Sequence, residues 1–346
     1  MSSLLSLIYA KIADVRNTLY EKGFFKSFDL GARTISVGNI TTGGTGKTPL
    51  VILVSQILAA RGKRVCILTR GYGRKNPKNR IVVSNGKKIL SDARTGGDEP
   101  VEMAKKLLGK AIVVADANRV AAAKWAKAEF GVTTFILDDG FQHRRANRDL
   151  DIVCIDATNP FGGGKMLPSG RLREPLANLG RANIIVITRS DLASNIDEIK
   201  SQIAEYAPAC PIFTTSTKLS GMTLLDKFLA VPEDESELAQ SSFAHQTLAN
   251  AKAFAFCALG SPESFFRQLR KDNFEVAGTH AFTDHHFYRQ KDIKIVVQKA
   301  KDSGAEYLLT TAKDAVKLAG VKMELPCFVV EATLVIDDAD GFAALL

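Results

Sequence analysis

The chain has 346 residues, 46% hydrophobic and 24% charged, with a formal net charge of +9 at pH 7. That length suits about two domains, each able to bury a core, and no window holds the roughly 18 to 20 uninterrupted apolar residues of a membrane span. The five cysteines, Cys66, Cys154, Cys210, Cys257 and Cys327, are odd in number and scattered through apolar runs, which argues against a disulfide framework or a zinc cluster.

Residues 1–26 read as one amphipathic helix. Leu5, Ile8, Ile12, Val15 and Leu19 alternate at helical spacings, Lys11, Asp14, Thr18, Glu21 and Lys22 take the other side, and Gly23 closes it. It either packs on its own domain or lies at a membrane interface, the latter favoured by Phe24, Phe25 and Lys26 just beyond. No cleavable-signal pattern accompanies it, so the bulk of the protein is expected in the cytosol.

Short, nearly continuous apolar runs at 34–37, 64–69, 111–115, 133–137, 151–155 and 184–188 predict strands buried on both faces. Helices fit at 48–61, 98–108 and 118–130. The pattern is α/β: a phosphate-loop-containing parallel sheet with helices on both faces, spanning 27–218. Residues 81–90, turning at Ser84-Asn85-Gly86-Lys87, interrupt it with a hairpin. A polar connection lies within 219–250, and a second, smaller α/β domain occupies the remainder of 219–346. Its strands are expected at 254–258, 276–282, 307–310 and 328–331, and its helices at 262–271, 290–303 and 312–318.

Chemistry concentrates first at Thr41-Thr-Gly-Gly-Thr-Gly-Lys-Thr48, which follows a strand and opens a helix. Gly43, Gly44 and Gly46 let backbone N–H groups turn inward around Thr45, and the helix dipole favours an anion. Lys47 is placed to reach the β- and γ-phosphates and Thr48 to ligate magnesium. Thr41 replaces the usual first glycine, and Gly38 upstream offers a turn of different shape. The apolar strand before Asp138-Asp139 ends beside such a site, so one of these acids is expected to hold the metal. Asp98 begins a helix, where it either caps or serves the site. Thr188-Arg-Ser-Asp191 approaches a guanine-reading motif but has arginine in place of lysine. Lys313 and Lys317, four apart, read as a solvated helix face or as contacts to anionic head groups. The basic balance draws the protein to something anionic. No aromatic-interleaved basic patch supports nucleic acid.

The motifs VGNITTGGTGKTP, RGYGR, GGDEP, LDDGFQHR, GRLREP, FTDHHFY and TAKDAVK, in this order, resemble the tetraacyldisaccharide 4'-kinase family of lipid A biosynthesis, from the first helix to about Lys317. Threonine at the Thr41 position is that family's pattern. The resemblance implies ATP and Mg²⁺, with the γ-phosphoryl group passing to the 4'-hydroxyl of a tetraacylated glucosamine disaccharide 1-phosphate. The enzyme would work as a peripheral protein on the cytoplasmic face of the inner membrane, with no protein partner expected. It further implies that Lys47 and Thr48 serve phosphate and metal, that Asp138 is the metal acid, and that Asp98 is the base. His285, favoured over His286, would come from the second domain to orient or assist Asp98. Asp139, Gln142 and His143 would line the same cleft, and Arg119, Arg173 and Glu174 would lie near nucleotide or substrate. A membrane-docked nucleotide switch shares the loop and first helix but has no need of Asp98 together with His285.

Overall fold

The computed structural model describes residues 2–230 and 251–346. In chain order, α1 (Ser2–Glu21) precedes β1 (Arg33–Asn39), α2 (Lys47–Ala60), β2 (Val65–Thr69), β3 (Ile81–Ser84), the short α3 (Ala93–Gly96), α4 (Asp98–Lys106) and β4 (Ala111–Ala115). Then follow α5 (Arg119–Phe130), β5 (Thr134–Asp138), β6 (Leu150–Asp156), β7 (Ile184–Thr188), α6 (Ile196–Ala204), β8 (Ile212–Leu224) and α7 (Leu225–Leu229). The remainder holds β9 (Ala253–Cys257), α8 (Pro262–Lys271), β10 (Val276–Ala281), α9 (Gln290–Asp302), β11 (Tyr307–Thr311), α10 (Ala312–Ala315), β12 (Cys327–Ile336) and α11 (Ala339–Leu345).

These strands make one sheet in the order β10-β9-β11-β12-β8-β7-β6-β1-β5-β2-β4-β3. The apolar runs behave as their composition dictates: β2, β4, β5, β7 and β9 are buried at every residue. Within each half the neighbours are parallel, apart from β3, which runs antiparallel to β4 at the edge. The halves meet at β8 and β12, which pair antiparallel with Phe328 opposite Leu224 and Ile336 opposite Thr215.

β8 escapes sequence reading because its residues, IFTTSTKLSGMTL, are mostly half-buried, with Lys218 and Ser220 exposed, rather than running apolar. It passes through Leu219, so the position between 218 and 219 lies inside a strand shared by both halves of the sheet. The polar stretch 231–250 falls outside the described residues. The expected hairpin at 81–90 has a strand only in its first arm. Asn85 accepts the N–H groups of Lys87 and Lys88 and makes the turn, but the return arm contributes a single bridge, Ser84 to Ile89.

Gly38 serves packing rather than a turn. It stands inside β1, and a Cβ there would lie 2.5 Å from Phe141 Cβ and 2.6 Å from the Phe141 backbone nitrogen. The turn leaving β5 therefore crosses directly over β1, which places Asp138 and Asp139 beside the loop that follows. Gly38→Ala is expected to cost about 1 to 3 kcal/mol and to weaken ATP binding through displacement of that turn. Urea denaturation and nucleotide titration check this, and wild-type values in both would show that the crossing has slack.

Candidate active site

The loop after β1 is folded by Asn39, whose Nδ2 donates to Thr41 O at 2.6 Å and Thr45 Oγ1 at 2.9 Å. Gly43 and Gly46 take positive φ, 109° and 79°, while Thr41 does not need it: Thr41 is buried and bridges Leu172. Threonine is thus compatible with the turn at the position where the common motif has glycine. Thr188 Oγ1 donates to Thr45 O at 2.9 Å and Arg189 Nη1 to Gly44 O at 2.7 Å. Arg189 is itself fixed by Asp156. The near-miss to a guanine motif consequently braces the phosphate loop, and its Asp191 is paired at 2.5 Å with Lys271 of α8.

β5 delivers two acids in opposite electrostatic settings. Asp138 accepts a hydrogen bond from Thr69 Oγ1 at 2.7 Å, yet burial, with Glu99 and Asp139 adding to it, pushes its carboxyl up to about 6. Asp139 is also buried, which opposes ionisation, but Lys47 and Arg173 outweigh that and bring it down to about 2. Arg173 Nη1 donates to both Asp139 oxygens at 2.9 Å, and Lys47 Nζ lies 3.7 Å from Oδ1. Behind them Arg119, fully buried, donates to the backbone carbonyls of Asp138 and Asp139.

Across the cleft, His285 Nδ1 stands 3.0 and 2.9 Å from the two oxygens of Asp98. Burial works against the Asp98 charge, but the His285 bond, Lys313 and Lys317 prevail and lower it to about 2. The same bond raises His285 above its ordinary 6.5, with burial opposing. Lys313 Nζ spans the two halves, 2.9 Å from Glu99 and 3.1 Å from Asp284. Neither Lys313 nor Lys317 lies on a solvated face: both are buried against carboxylates. Among the described residues, four non-glycine residues have positive φ, and three of them, Asp139, Arg189 and His285, line this cleft. Such backbone is uncommon outside glycine and gathers where function over-determines it.

The cleft, of about 330 Å³, is lined by the loop from Gly43 through Thr48, by Asp138, Asp139 and Arg173, and by His285. Other expected residues stand behind it. Asp98 is almost entirely buried. Gln142 donates to Asn39 O at 2.8 Å, and Glu174 accepts from Asn17 of α1 at 3.0 Å and from Arg181. His143 lies away from the cleft lining, half-buried near Arg119, Arg70, Arg148 and Arg145; desolvation first and these cations next lower it to about 3. His286 turns away and meets Asp292 at 3.1 Å. Sequence reading passed over Arg189, Glu99 and Lys313 as site residues, because only the folded chain reveals what they face.

A phosphate loop opening a helix beside strand-end acids makes this a P-loop phosphotransferase. The profile of the tetraacyldisaccharide-1-P 4'-kinase family matches residues 2–346, and the chain belongs to that family. It is 40% identical over 320 residues to the tetraacyldisaccharide 4'-kinase of Halothermothrix orenii, covering 92% of this chain and 82% of the relative. The Geobacter metallireducens enzyme of that description is 37% identical over 323 residues, with 93% and 89% covered. Among solved structures, LpxK from Aquifex aeolicus in complex with ATP superposes with a TM-score of 0.75 at 31% identity, covering 99% of this chain and 96% of that one. The protein is therefore a lipid A precursor kinase, phosphorylating the 4' position with ATP and Mg²⁺.

Because Arg119 pins both strand-end carbonyls from inside the protein, Arg119→Met should destabilise the fold by about 2 to 4 kcal/mol. An unchanged urea midpoint would mean that the β5 end holds itself.

Proposed function

We propose that the acceptor 4'-hydroxyl gives its proton to His285 while Asp98 holds the imidazole from behind, an exchange of the roles expected from sequence. The supporting observation is that His285 lines the cleft, whereas both Asp98 oxygens are engaged inside the protein: Glu99 N–H at 2.9 Å, His285 Nδ1, and Lys317 at 3.4 Å. This is the orienting-acid logic of an acid–histidine–hydroxyl relay. The hydroxyl oxygen bonds to the γ-phosphorus as the bond to the β,γ-bridging oxygen breaks, and the hydroxyl proton passes to His285 Nε2. Lys47 and Arg173 balance charge on the transferring group, and the loop N–H groups fix it in line.

Thr48 and Asp138 both line the cleft and offer hard oxygen donors, which fits Mg²⁺. Among the described residues no group of three or more His, Cys, Asp or Glu forms a self-contained metal cage, as suits an ion that completes its shell with water and phosphate. When bound, Mg²⁺ neutralises phosphate charge. Residues 219–346 would contribute one wall of the cleft against 27–218, excluding water through contacts such as Lys313 with Glu99 and Lys271 with Asp191.

The protein would meet its substrate as a peripheral enzyme on the cytoplasmic face of the inner membrane. α1 supports this by its orientation: Leu5, Ile8, Ile12 and Val15 are exposed, as are Phe24, Phe25 and Phe28, while Asn17 is buried. No described helix is long and apolar enough to cross a membrane. A helix tied down through Ser6, Arg16 and Asn17, with Leu5, Ile8, Ile12 and Val15 outward, suits the headgroup region of a bilayer.

His285→Ala is expected to lower kcat by about 100- to 10,000-fold with ATP affinity retained; full turnover would remove the proton-acceptor role. Imidazolium cannot accept the proton, so kcat should rise as pH increases through a histidine value above 6.5. A profile flat between pH 5 and 8 would argue against it. Ile8→Asp with Ile12→Asp should cut sedimentation with anionic vesicles several-fold and leave Tm unchanged. Undiminished sedimentation would return α1 to a purely structural role.

A further inference from the structure

Lys317 is not among the residues lining the cleft, yet it is a secluded cation beside the site. Its side chain is wholly inaccessible, 3.4 Å from Asp98 Oδ2 and 3.0 Å from Asp314 Oδ1. It donates no aligned hydrogen bond to either carboxylate, so it acts on them through charge. Its mooring is elaborate. Asp314, itself fully buried, accepts from Tyr288 Oη at 2.9 Å, Thr311 Oγ1 at 2.7 Å and Ala258 N at 3.1 Å. The Tyr288 ring also lies 5.6 Å from Lys317 Nζ. All of these residues belong to the second half of the sheet, while Asp98 opens α4 in the first.

We propose that Lys317 is a positioning residue for the reaction: anchored by Asp314, it fixes the Asp98 carboxylate from the side opposite the cleft, so that Asp98 presents its charge to His285 Nδ1 and sets how readily that imidazole takes a proton. The inference rests on His285 as proton acceptor. A cation so placed opposes the imidazolium, whereas Asp314 partly neutralises that cation. The two residues therefore act on His285 with opposite sign. Asp98, Asp284 and Lys313 also bear on the imidazole, with Glu99 beyond Lys313, and all four stay in place in the variants below.

The test uses the full chain with ATP, Mg²⁺ and tetraacyldisaccharide 1-phosphate in detergent, following kcat, KM and the acidic limb of the pH profile. Lys317→Met combined with Asp314→Asn removes both buried charges together, so neither is left unpaired. This variant should keep its KM for ATP, lose kcat about tenfold or more, and show its acidic limb moved up by about half a pH unit or more. Asp314→Asn alone keeps the acceptor oxygen for Tyr288 and Ala258 but frees the Lys317 charge, and should move the limb down. Opposite shifts in the two variants support the inference, and a residue serving only stability would produce neither. Should the double variant not fold, the direction in Asp314→Asn still decides: an unmoved or raised limb overturns the proposal. Wild-type kcat and limb in a folded double variant overturn it too. His285→Ala separates the two readings. If that variant is fully active, the proton-acceptor assignment falls and this inference with it; if it is inactive beside a fully active double variant, only the Lys317 role falls.

Discussion

A carboxylate buried at the N-terminus of α4 must find positive charge, and Asp98 finds it in the other half of the sheet. The α4 backbone supplies one N–H, from Glu99, which does not offset removal of a full charge from water. His285 and Lys317 supply the rest from segments about 190 and 220 residues later in the chain. The acid is thus kept ionised only where the halves are together. The antiparallel seam of β8 with β12 does mechanically what this charge network does electrostatically, tying two parallel half-sheets into one frame. The turn from β9 into α8 consequently rests on the phosphate loop, with Gly260 so close that a Cβ would meet Gly44 N at 2.9 Å.

The acids on the two sides of the cleft are held by different physics, which is what separate tasks require. Asp139 has two cations on it and stays a fixed anion that also orients Lys47 and Arg173. Asp138, its neighbour along the chain, has only the Thr69 hydroxyl at its carboxylate while the buried Arg119 serves its backbone carbonyl, and it is left in want of a cation. One strand end can therefore present a satisfied carboxylate and an unsatisfied one within two residues.

Legibility followed the range of each interaction. Strands such as β4 and β7 and the glycine positions of the phosphate loop depend on local composition and were readable directly. So were the acids ending β5, although their division of labour depends on Arg173 and Arg119, which no spacing foretells. β8 was hidden because a strand half-covered on each face carries hydroxyls where a buried one carries valines. Lys313 and Lys317 looked like solvated charges because helical spacing says nothing about which carboxylates another segment will bring. Gly38 was misassigned for the same reason: its necessity comes from Phe141, about a hundred residues away.

α1 carries the last such reversal. Its apolar spacing predicts a stripe, but spacing is silent on which side the protein takes, and here a third face, that of Ser6, Arg16 and Asn17, is held while the apolar stripe and Lys11, Asp14 and Lys22 stay exposed. Ser6 donates to Met166 O at 3.0 Å, Arg16 to Gln142 O at 2.9 Å, and Asn17 to Glu174. Gln142 in turn binds the carbonyl of Asn39, whose side chain folds the phosphate loop, and Glu174 follows Arg173, which grips Asp139. Gln142 and Glu174, expected in or near the cleft, thus form a hydrogen-bonded bridge between the outward apolar helix and the phosphate-transfer centre. If α1 docks on a bilayer as proposed, then for an acceptor whose acyl chains keep it there, each CH₂ contributing about 0.8 kcal/mol, such a bridge would set the height of the cleft above the surface, and only the sugar would have to rise into it.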